Sequence, residues 1–311
     1  MRVFDAEATR DALPFERLVE ALRTMFADGC EAPPRHVHEI VAPAGGTLTS
    51  LIMPAWSARH YGVKTVNIAP ANAARGLPGL HAAYLLFDAV TGAPLALLDG
   101  GVLTARRTAA ASALAASWLA REDARHLLVV GAGAVARLLP AAYRTVRPIG
   151  HVSVWARRAE AAQALAAEWR GQGFEACAAP DLGAAVTQAD IVSCATLATE
   201  PVVHGRWLRA GSHLDLIGSF TQAMREADDD CFTGATLYVD TDEALQKSGE
   251  LLGPLSRGVF ARTDVRGTLA TLSRGEAAGR RSRDERTVFK SVGTALEDLA
   301  AAILVYETIG G

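Results

Sequence analysis

Short apolar segments with alternating polar positions occupy the first hundred residues of this 311-residue chain. Alternation with a period of two is typical of strands that bury one face. The last two segments also flank a loop containing Gly92, which suits a hairpin. We therefore predict an α+β domain with an antiparallel sheet. Its expected strands are residues 35–41, 47–53, 63–68, 84–88 and 94–98.

From residue 126 onward, continuous apolar segments alternate with alanine-rich helical segments such as residues 159–170. This rhythm is typical of a parallel, doubly wound sheet in an α/β fold. Pro140 falls about two turns into the first of these helices and is expected to bend it. The expected strands are residues 126–130, 151–155, 174–177, 190–194, 213–217 and 236–240.

A glycine-rich turn follows the first of these strands, where residues 131–136 read Gly-Ala-Gly-Ala-Val-Ala. In dinucleotide-binding folds the first glycine allows a tight turn, and the second lets backbone N–H groups approach the pyrophosphate. Such turns also occur without a ligand, so the motif alone is a weak signal. Together with the strand pattern it predicts a Rossmann-type domain. The candidate cofactor-binding residues of this turn are Gly131, Gly133, Ala134 and Val135.

The second strand of this domain is followed by Arg157 and Arg158, where NAD-dependent folds carry an acidic residue. Guanidinium groups suit the 2′-phosphate of NADP, so we predict NADPH as the cofactor and leave NADH open as a second one. The alternative is that both arginines are a solvated strand end. Ligands of such sheets bind beside the strand ends where the strand order reverses. The candidate cofactor-binding residues near that edge are Thr108, Cys194, Ala195 and Thr196.

Composition and charge exclude several function classes. The formal net charge is −3 and no basic stripe is interleaved with aromatic residues, which argues against a nucleic-acid partner. The sequence shows neither a signal-peptide pattern nor an apolar run long enough to span a membrane, so we expect a cytoplasmic protein. The four cysteines lack metal-site spacing, and the pair His36 and His38 lacks a third ligand nearby. No metal site is therefore predicted.

Two helical segments suggest how the domains are joined. A helix over residues 108–120 is expected to lead into the first strand of the Rossmann-type domain. An amphipathic helix over 291–309 is expected to return to the first domain. The predicted domains are therefore 1–116 together with 291–311, and 117–290. The charged segment 273–286 is interpreted as a solvated loop or surface helix.

Several motifs spread over nearly the whole chain resemble those of the ornithine cyclodeaminase and mu-crystallin family. The first is residues 98–112, LDGGVLTARRTAAAS, and the others are 62–64, 211–213 with 217–218, 225–226 and 289–298; together they are far more specific than the glycine turn. The resemblance implies a homodimer and an active site in a cleft between the two domains. In that scheme the first domain, 1–116 with 291–311, serves dimerisation and substrate binding, and 117–290 binds NAD(P).

The resemblance also implies roles for three cationic residues. Arg35, Lys64 and Arg107 match residues that hold the substrate carboxylate in the family. A guanidinium can grip a carboxylate through two parallel hydrogen bonds. Burial and neighbouring cations would favour the neutral amine of Lys64, which makes Lys64 the candidate catalytic residue for proton transfer, with an ordered water as the alternative.

One departure from the family pattern bears on the reaction. Cyclodeaminase members carry an aspartate where this chain has Phe220, and an aromatic ring cannot accept a proton. The surrounding residues resemble the Δ1-pyrroline-2-carboxylate reductase branch, which implies reduction of a cyclic imino acid to L-proline, or of its six-membered homologue to L-pipecolate. Ornithine cyclodeamination through another acid such as Asp215, alanine dehydrogenase or another ketimine reductase, and non-catalytic NADPH-dependent binding of a small molecule stay open as alternatives.

Overall fold

Two units make up the chain in a computed structural model that describes residues 1–41 and 46–310. The first comprises Met1–Arg107 and Thr294–Gly311, and the second comprises Thr108–Gly293. The first division lies inside one long helix, nine residues before the boundary expected at 116. The second lies three residues after the boundary expected at 290. The roles assigned to the two domains stay predictions.

The first unit contains a six-stranded sheet. Its strands are β1 (Arg2–Phe4), β2 (His36–Val41), β3 (Thr47–Trp56), β4 (His60–Ile68), β5 (Leu80–Asp88) and β6 (Pro94–Asp99), and a 3-10 helix covers Pro70–Arg75. The strand order is β1-β6-β5-β4-β3-β2, with β1 parallel to β6 and the other pairs antiparallel. The predicted antiparallel sheet is confirmed, and Gly92 in its hairpin has a φ of 71°. The three-residue strand β1 was missed because it is too short to show a period.

The second unit contains an eight-stranded parallel sheet. The helices that precede this sheet in the chain are α1 (Ala6–Asp11), α2 (Phe15–Asp28) and α3 (Gly100–Leu119), and α3 begins in the first unit and continues into the second. The strands of the second unit are β7 (His126–Val130), β8 (His151–Trp155), β9 (Glu175–Ala178), β10 (Ile191–Cys194), β11 (His213–Leu216), β12 (Thr236–Val239), β13 (Val265–Thr268) and β14 (Thr287–Lys290). Its other helices are α4 (Ala134–Arg144), α5 (Ala159–Gly171), α6 (Leu182–Gln188), α7 (Ala244–Lys247), α8 (Gly249–Ser256) and α9 (Leu269–Ser273), with 3-10 helices at Gly205–Trp207, Asp229–Cys231 and Arg262–Asp264.

The strand order β13-β12-β14-β11-β10-β7-β8-β9 confirms the doubly wound sheet. The chain winds from β7 outward to β9, then returns and places β10 on the other side of β7. The order therefore reverses between β7 and β10, which is where ligands bind in this fold class. Strands β10, β11, β12 and β14 are buried along their whole length, as is typical of central strands in a parallel sheet, and several polar side chains are buried with them.

The structure adds detail to two expectations for the second unit, the position of Pro140 and the charged segment 273–286. Pro140 lies inside α4, and the helix is retained on both sides of it. The charged segment 273–286 is mostly exposed and irregular, but Arg280 in it donates hydrogen bonds to the backbone oxygens of Leu119 and Ser212. The segment is therefore attached to its own unit by a guanidinium that satisfies carbonyl groups, rather than being a wholly solvated loop.

The C-terminal helix α10 (Ala295–Gly310) belongs to the first unit and packs on α2, β3 and β4. Leu299, Ala301 and Val305 of this helix are fully buried, which confirms the expected apolar face. Its first turn contains Glu297 and Asp298. The fold therefore places two carboxylates against the buried face of the first sheet. Within the described residues, no helix has the length and apolar character needed to cross a membrane.

Candidate active site

Two cations and two carboxylates form a buried cluster within the first unit. Lys64 lies on the buried face of β4, and its Nζ is 2.6 Å from Oδ2 of Asp298. Arg107 lies on α3, where its Nε is 2.9 Å from Oδ1 of the same carboxylate and its Nη1 pairs with Oε2 of Glu297. Asp298 therefore bridges Lys64 and Arg107. The structure brings together two of the three residues predicted to hold a substrate carboxylate.

The electrostatics of the cluster follow from burial and pairing. Burial lowers the pKa of the Lys64 ammonium to about 8, with Arg107 contributing and Asp298 opposing the shift. Burial alone would lower the pKa of Arg107, but Asp298 and Glu297 together hold it above its ordinary value. For Asp298, burial is outweighed by Arg107 and Lys64, so its pKa is lowered. Arg107 and Asp298 are thus held charged, and Lys64 is the group able to exchange a proton near neutral pH.

The carboxylates of this cluster were missed as functional residues. Glu297 and Asp298 were noted only as part of the family motif at residues 289–298. An acidic pair in the first turn of a helix is normally explained by the helix dipole alone. The sequence signal that could have identified them is that both carboxylates lie in a helix whose other residues are mostly apolar. Arg35 lies half-buried directly before β2, and its role as a third anchor stays a prediction.

The glycine turn after β7 has the geometry required for a dinucleotide. Gly131 has a φ of 121°, and a Cβ there would lie 2.5 Å from the backbone oxygen of Ala195, so only glycine fits. A Cβ on Gly133 would meet no atom within 4 Å. Gly133 is the N-cap of α4 and provides no side-chain cap. The N-terminus of α4, with Ala134 and Val135, therefore faces open space that a pyrophosphate would fill.

A pocket of about 290 Å³ lies at the end of β8, where the adenosine ribose of a dinucleotide binds in this fold class. Arg157 lines it together with Trp155, Gln163 and Pro180. Arg158 instead occupies the N-cap position of α5, without a side-chain cap bond. The two arginines are therefore not equivalent, and Arg157 is the better placed candidate for a 2′-phosphate partner.

The loops after β10 and β11 lie side by side at the carboxyl edge of the sheet. Cys194 is fully buried, and burial raises its thiol pKa well above the ordinary value, so it is a packing residue rather than a nucleophile. The backbone oxygen of Ala195 lies against Gly131, and the next residue, Thr196, is half-exposed. Thr108 is half-buried on α3, directly after Arg107. The cofactor roles of these residues stay predictions.

Asp215 is not available as a substitute acid. Its carboxylate is fully buried and accepts hydrogen bonds from the hydroxyls of Ser112, Ser193 and Tyr143. Phe220, at the position of the cyclodeaminase aspartate, is 41% exposed in the loop after β11. Within the described residues no group of three or more His, Cys, Asp and Glu side chains is arranged to hold a metal ion.

Comparisons with known proteins agree with this geometry. The model of the ornithine cyclodeaminase/mu-crystallin family matches residues 7–311. A Δ1-pyrroline-2-carboxylate reductase of Paracoccus denitrificans is 45% identical over 303 residues, which cover 96% of this chain and 94% of the relative.

Two solved structures share the whole fold. The Δ1-pyrroline-2-carboxylate reductase of Thermococcus litoralis, in complex with NADH and L-proline, is 33% identical with a TM-score of 0.92; the match covers 99% of this chain and 97% of the other. An archaeal alanine dehydrogenase dimer with bound NAD is 30% identical with a TM-score of 0.91, covering 99% and 95% of the two chains. The resemblance seen in the motifs is thereby confirmed, and this chain belongs to the ornithine cyclodeaminase/mu-crystallin family.

Proposed function

We propose that this chain is an NAD(P)H-dependent imine reductase that converts Δ1-pyrroline-2-carboxylate to L-proline and, by the same chemistry, Δ1-piperideine-2-carboxylate to L-pipecolate. The observation that carries the proposal is the buried Lys64–Asp298–Arg107 bridge, which combines a carboxylate anchor with a proton donor. The names of the Paracoccus and Thermococcus relatives and the L-proline in the latter structure support this substrate class.

Arg107 is proposed to bind the substrate carboxylate. Its Nε pairs with Asp298 and its Nη1 pairs with Glu297, so two separate ion pairs fix the orientation of the guanidinium. A rigid guanidinium binds a carboxylate with less loss of side-chain entropy than a mobile one. Two carboxylates of the chain balance the charges of Lys64 and Arg107, so the anchor acts through hydrogen-bond geometry as well as through charge.

Lys64 is proposed to supply the proton. A pKa of about 8 leaves most of its ammonium groups charged at neutral pH but makes the proton easier to release than from an exposed lysine. Transfer of that proton to the imine nitrogen produces an iminium, whose carbon accepts a hydride more readily. Asp298 remains ionised throughout and keeps the Nζ atom in place.

The residues of the second unit fit a nicotinamide cofactor. The N-terminus of α4 would hold its pyrophosphate, and Arg157 would contact a 2′-phosphate, which favours NADPH over NADH. When bound, the cofactor supplies the hydride that reduces the iminium carbon. NADH use stays open, since the Thermococcus relative was solved with NADH.

A homodimer is proposed as the working assembly. Strand β2 is exposed along its whole length, with Val37, Ile40 and Val41 between 48% and 77% exposed. Apolar edge strands of this kind are normally covered. The archaeal alanine dehydrogenase relative is a dimer. Sedimentation velocity should give about twice the chain mass, and a monomer that is fully active would contradict the assembly.

The experiment that tests the function is NADPH oxidation by the purified chain with a panel of substrates. We expect oxidation with Δ1-pyrroline-2-carboxylate and formation of L-proline. No ammonia should be released from L-ornithine with NAD. Faster turnover of pyruvate plus ammonia than of either cyclic imine would favour the alanine dehydrogenase alternative. Tight NADPH binding without turnover of any substrate would favour a non-catalytic binding protein.

A further inference from the structure

Glu226 is a fully buried carboxylate that the proposed reaction does not use. It lies beyond the loop that follows β11, next to a single bridge between Val203 and Ala227. Its Oε1 accepts hydrogen bonds from the backbone N–H and from the hydroxyl of Thr196, at 2.7 and 2.9 Å. Its Oε2 accepts one from the backbone N–H of Gly218 at 2.7 Å. One side chain thus bridges two loops.

The two bridged positions are structurally equivalent. Cys194 and Leu216 are register partners at the ends of β10 and β11, and Thr196 and Gly218 each lie two residues beyond. The loops also touch directly, since a Cβ on Gly218 would overlap with the backbone oxygen of Thr196. Glu226 therefore sets the spacing and direction of both chain segments where they leave the sheet, beside the strand ends that receive the cofactor.

A second carboxylate fixes Glu226 itself. The backbone N–H groups of Glu226 and Ala227 donate to Oε2 and Oε1 of Glu250, at 2.7 and 2.9 Å. Glu250 is also fully buried and lies in the first turn of α8. The bridge between the loops is thus held from behind by a residue of a helix, as expected for a residue that positions others.

We propose that Glu226 is a positioning residue of the reductase, whose carboxylate holds the loops after β10 and β11 in the arrangement that receives the nicotinamide end of the cofactor. This inference rests on the proposed function. Because all three of its partners are hydrogen-bond donors, the site needs an acceptor at both carboxyl oxygens. A protonated carboxyl or an amide would turn one oxygen position into a donor and separate one loop from the other.

The charged groups around Glu226 make its protonation responsive near neutral pH. Burial raises the pKa of the Glu226 carboxyl to about 7, with Glu250 adding to the rise and Lys290 opposing it. The titratable and charged groups in this region are Cys194 on β10, Asp215 on β11, Arg225, Asp240 after β12, Glu250 on α8 and Lys290 on β14. Falling pH therefore protonates Glu226 and weakens the bridge, and rising pH restores it.

The test uses Glu226→Gln in the full chain, with Asp240→Asn as a matched control. Asp240 is likewise a fully buried carboxylate that accepts backbone hydrogen bonds, but from Val292 and Gly293. For Glu226→Gln we expect NADPH binding, measured by fluorescence titration, to weaken about tenfold, the effect of losing roughly one charge-assisted hydrogen bond. The fall of kcat/KM toward low pH that we expect in the parent should be flatter in Glu226→Gln. Asp240→Asn should lower the melting temperature and leave NADPH affinity unchanged.

A lowered melting temperature of Glu226→Gln with unchanged NADPH affinity and an unchanged pH profile would overturn the proposal, since Glu226 would then be merely structural. If Glu226→Gln does not fold, the test uses Thr196→Val, which removes the hydroxyl that donates to Glu226 from the half-exposed Thr196. An NADPH affinity of this variant equal to that of the parent would overturn the proposal. The cofactor titration needs no turnover. A parent chain that binds NADPH but reduces no imine therefore refutes the proposed function and leaves the bridge testable.

Discussion

The two units bury charge in opposite ways. In the first, Lys64 and Arg107 meet Glu297 and Asp298, so two positive side chains face two negative ones. In the second, the fully buried Lys290 lies among carboxylates that outnumber it. Those carboxylates are Asp215, Glu226, Asp240 and Glu250.

The pKa values of the buried carboxylates shift in opposite directions in the two units. The pKa of Asp298 lies below its ordinary value because its cationic partners outweigh burial. The pKa values of Asp215, Glu226 and Glu250 all lie above theirs because burial outweighs the hydrogen bonds that they accept. Ion pairing therefore suits a site that binds a charged substrate, whereas hydrogen bonding to backbone N–H groups suits the positioning of loops.

The largest expected effect comes from breaking the balanced cluster. Arg107→Met leaves Glu297 and Asp298 with a single cation, and removing one partner of a buried pair costs about 3–5 kcal/mol of unfolding free energy. Loss of the substrate anchor should also lower kcat/KM by about a hundredfold or more. Urea unfolding and NADPH oxidation measure the two effects. Arg106→Met is the control, since Arg106 donates to the backbone oxygen of Leu13 and should leave kcat/KM largely intact. Full imine reduction by Arg107→Met would show that it is not the anchor.

Two glycine variants separate folding from binding in the second unit. Gly218→Ala places a Cβ against the Thr196 oxygen, so both stability and NADPH affinity should fall, the former by about 1–3 kcal/mol as for other overpacked sites. Gly133→Ala adds a Cβ in open space, so stability should be unchanged while NADPH affinity falls. Thermal melts and cofactor titrations check both variants. Unchanged affinity in Gly133→Ala would place the pyrophosphate elsewhere.

The preference for NADPH over NADH tests whether Arg157 and Arg158 differ in their contribution to cofactor binding. Arg157→Ser should weaken NADPH binding by roughly 1.5–3 kcal/mol and leave NADH binding nearly unchanged, because only NADPH has a 2′-phosphate to lose. Arg158→Ser should have a smaller effect, since Arg158 is an N-cap residue outside the pocket lining. Titrations with both cofactors measure the ratio. An equal loss for NADH and NADPH in Arg157→Ser would contradict the assignment.

The smallest effect is a pH dependence of the first cluster. Lys64 carries its proton below a pKa of about 8 and loses it above, so kcat/KM for imine reduction should fall as pH rises through 8. In Lys64→Arg the group stays protonated, and any remaining activity should lack this alkaline fall. Steady-state rates across the pH range check it. An alkaline fall that persists unchanged in Lys64→Arg would assign the proton to an ordered water or another group.

Much of the fold was predictable because it is encoded locally. The period of two in β3 to β6, the apolar segments of β7 to β12 and the glycine turn are read within a few residues of sequence. Strands β13 and β14 were not predicted. Strand β13 lies at the outer edge beside β12, and β14 enters the sheet between β11 and β12 although it comes after both in the chain. Such an insertion leaves no local pattern.

The candidate site likewise contains residues that the sequence predicted and partners that it did not. Lys64 and Arg107 were predicted from the family motifs, whereas Asp298, which joins them, lies 191 residues from Arg107. Glu226 was noted only as a motif residue, and the loop that it holds at Thr196 is 30 residues away. Neither partnership has a fixed spacing in the sequence.

By itself, the sequence determined most strands of both sheets, the glycine positions that a tight turn requires and the kinds of charged residue at the site. The tertiary structure decided which charges meet, because a helix from the end of the chain packs on the first sheet and brings Asp298 between Lys64 and Arg107. The physical reason is that backbone conformation responds to neighbouring residues, whereas the pairing and pKa of a buried charge depend on whatever the fold places within a few ångströms of it.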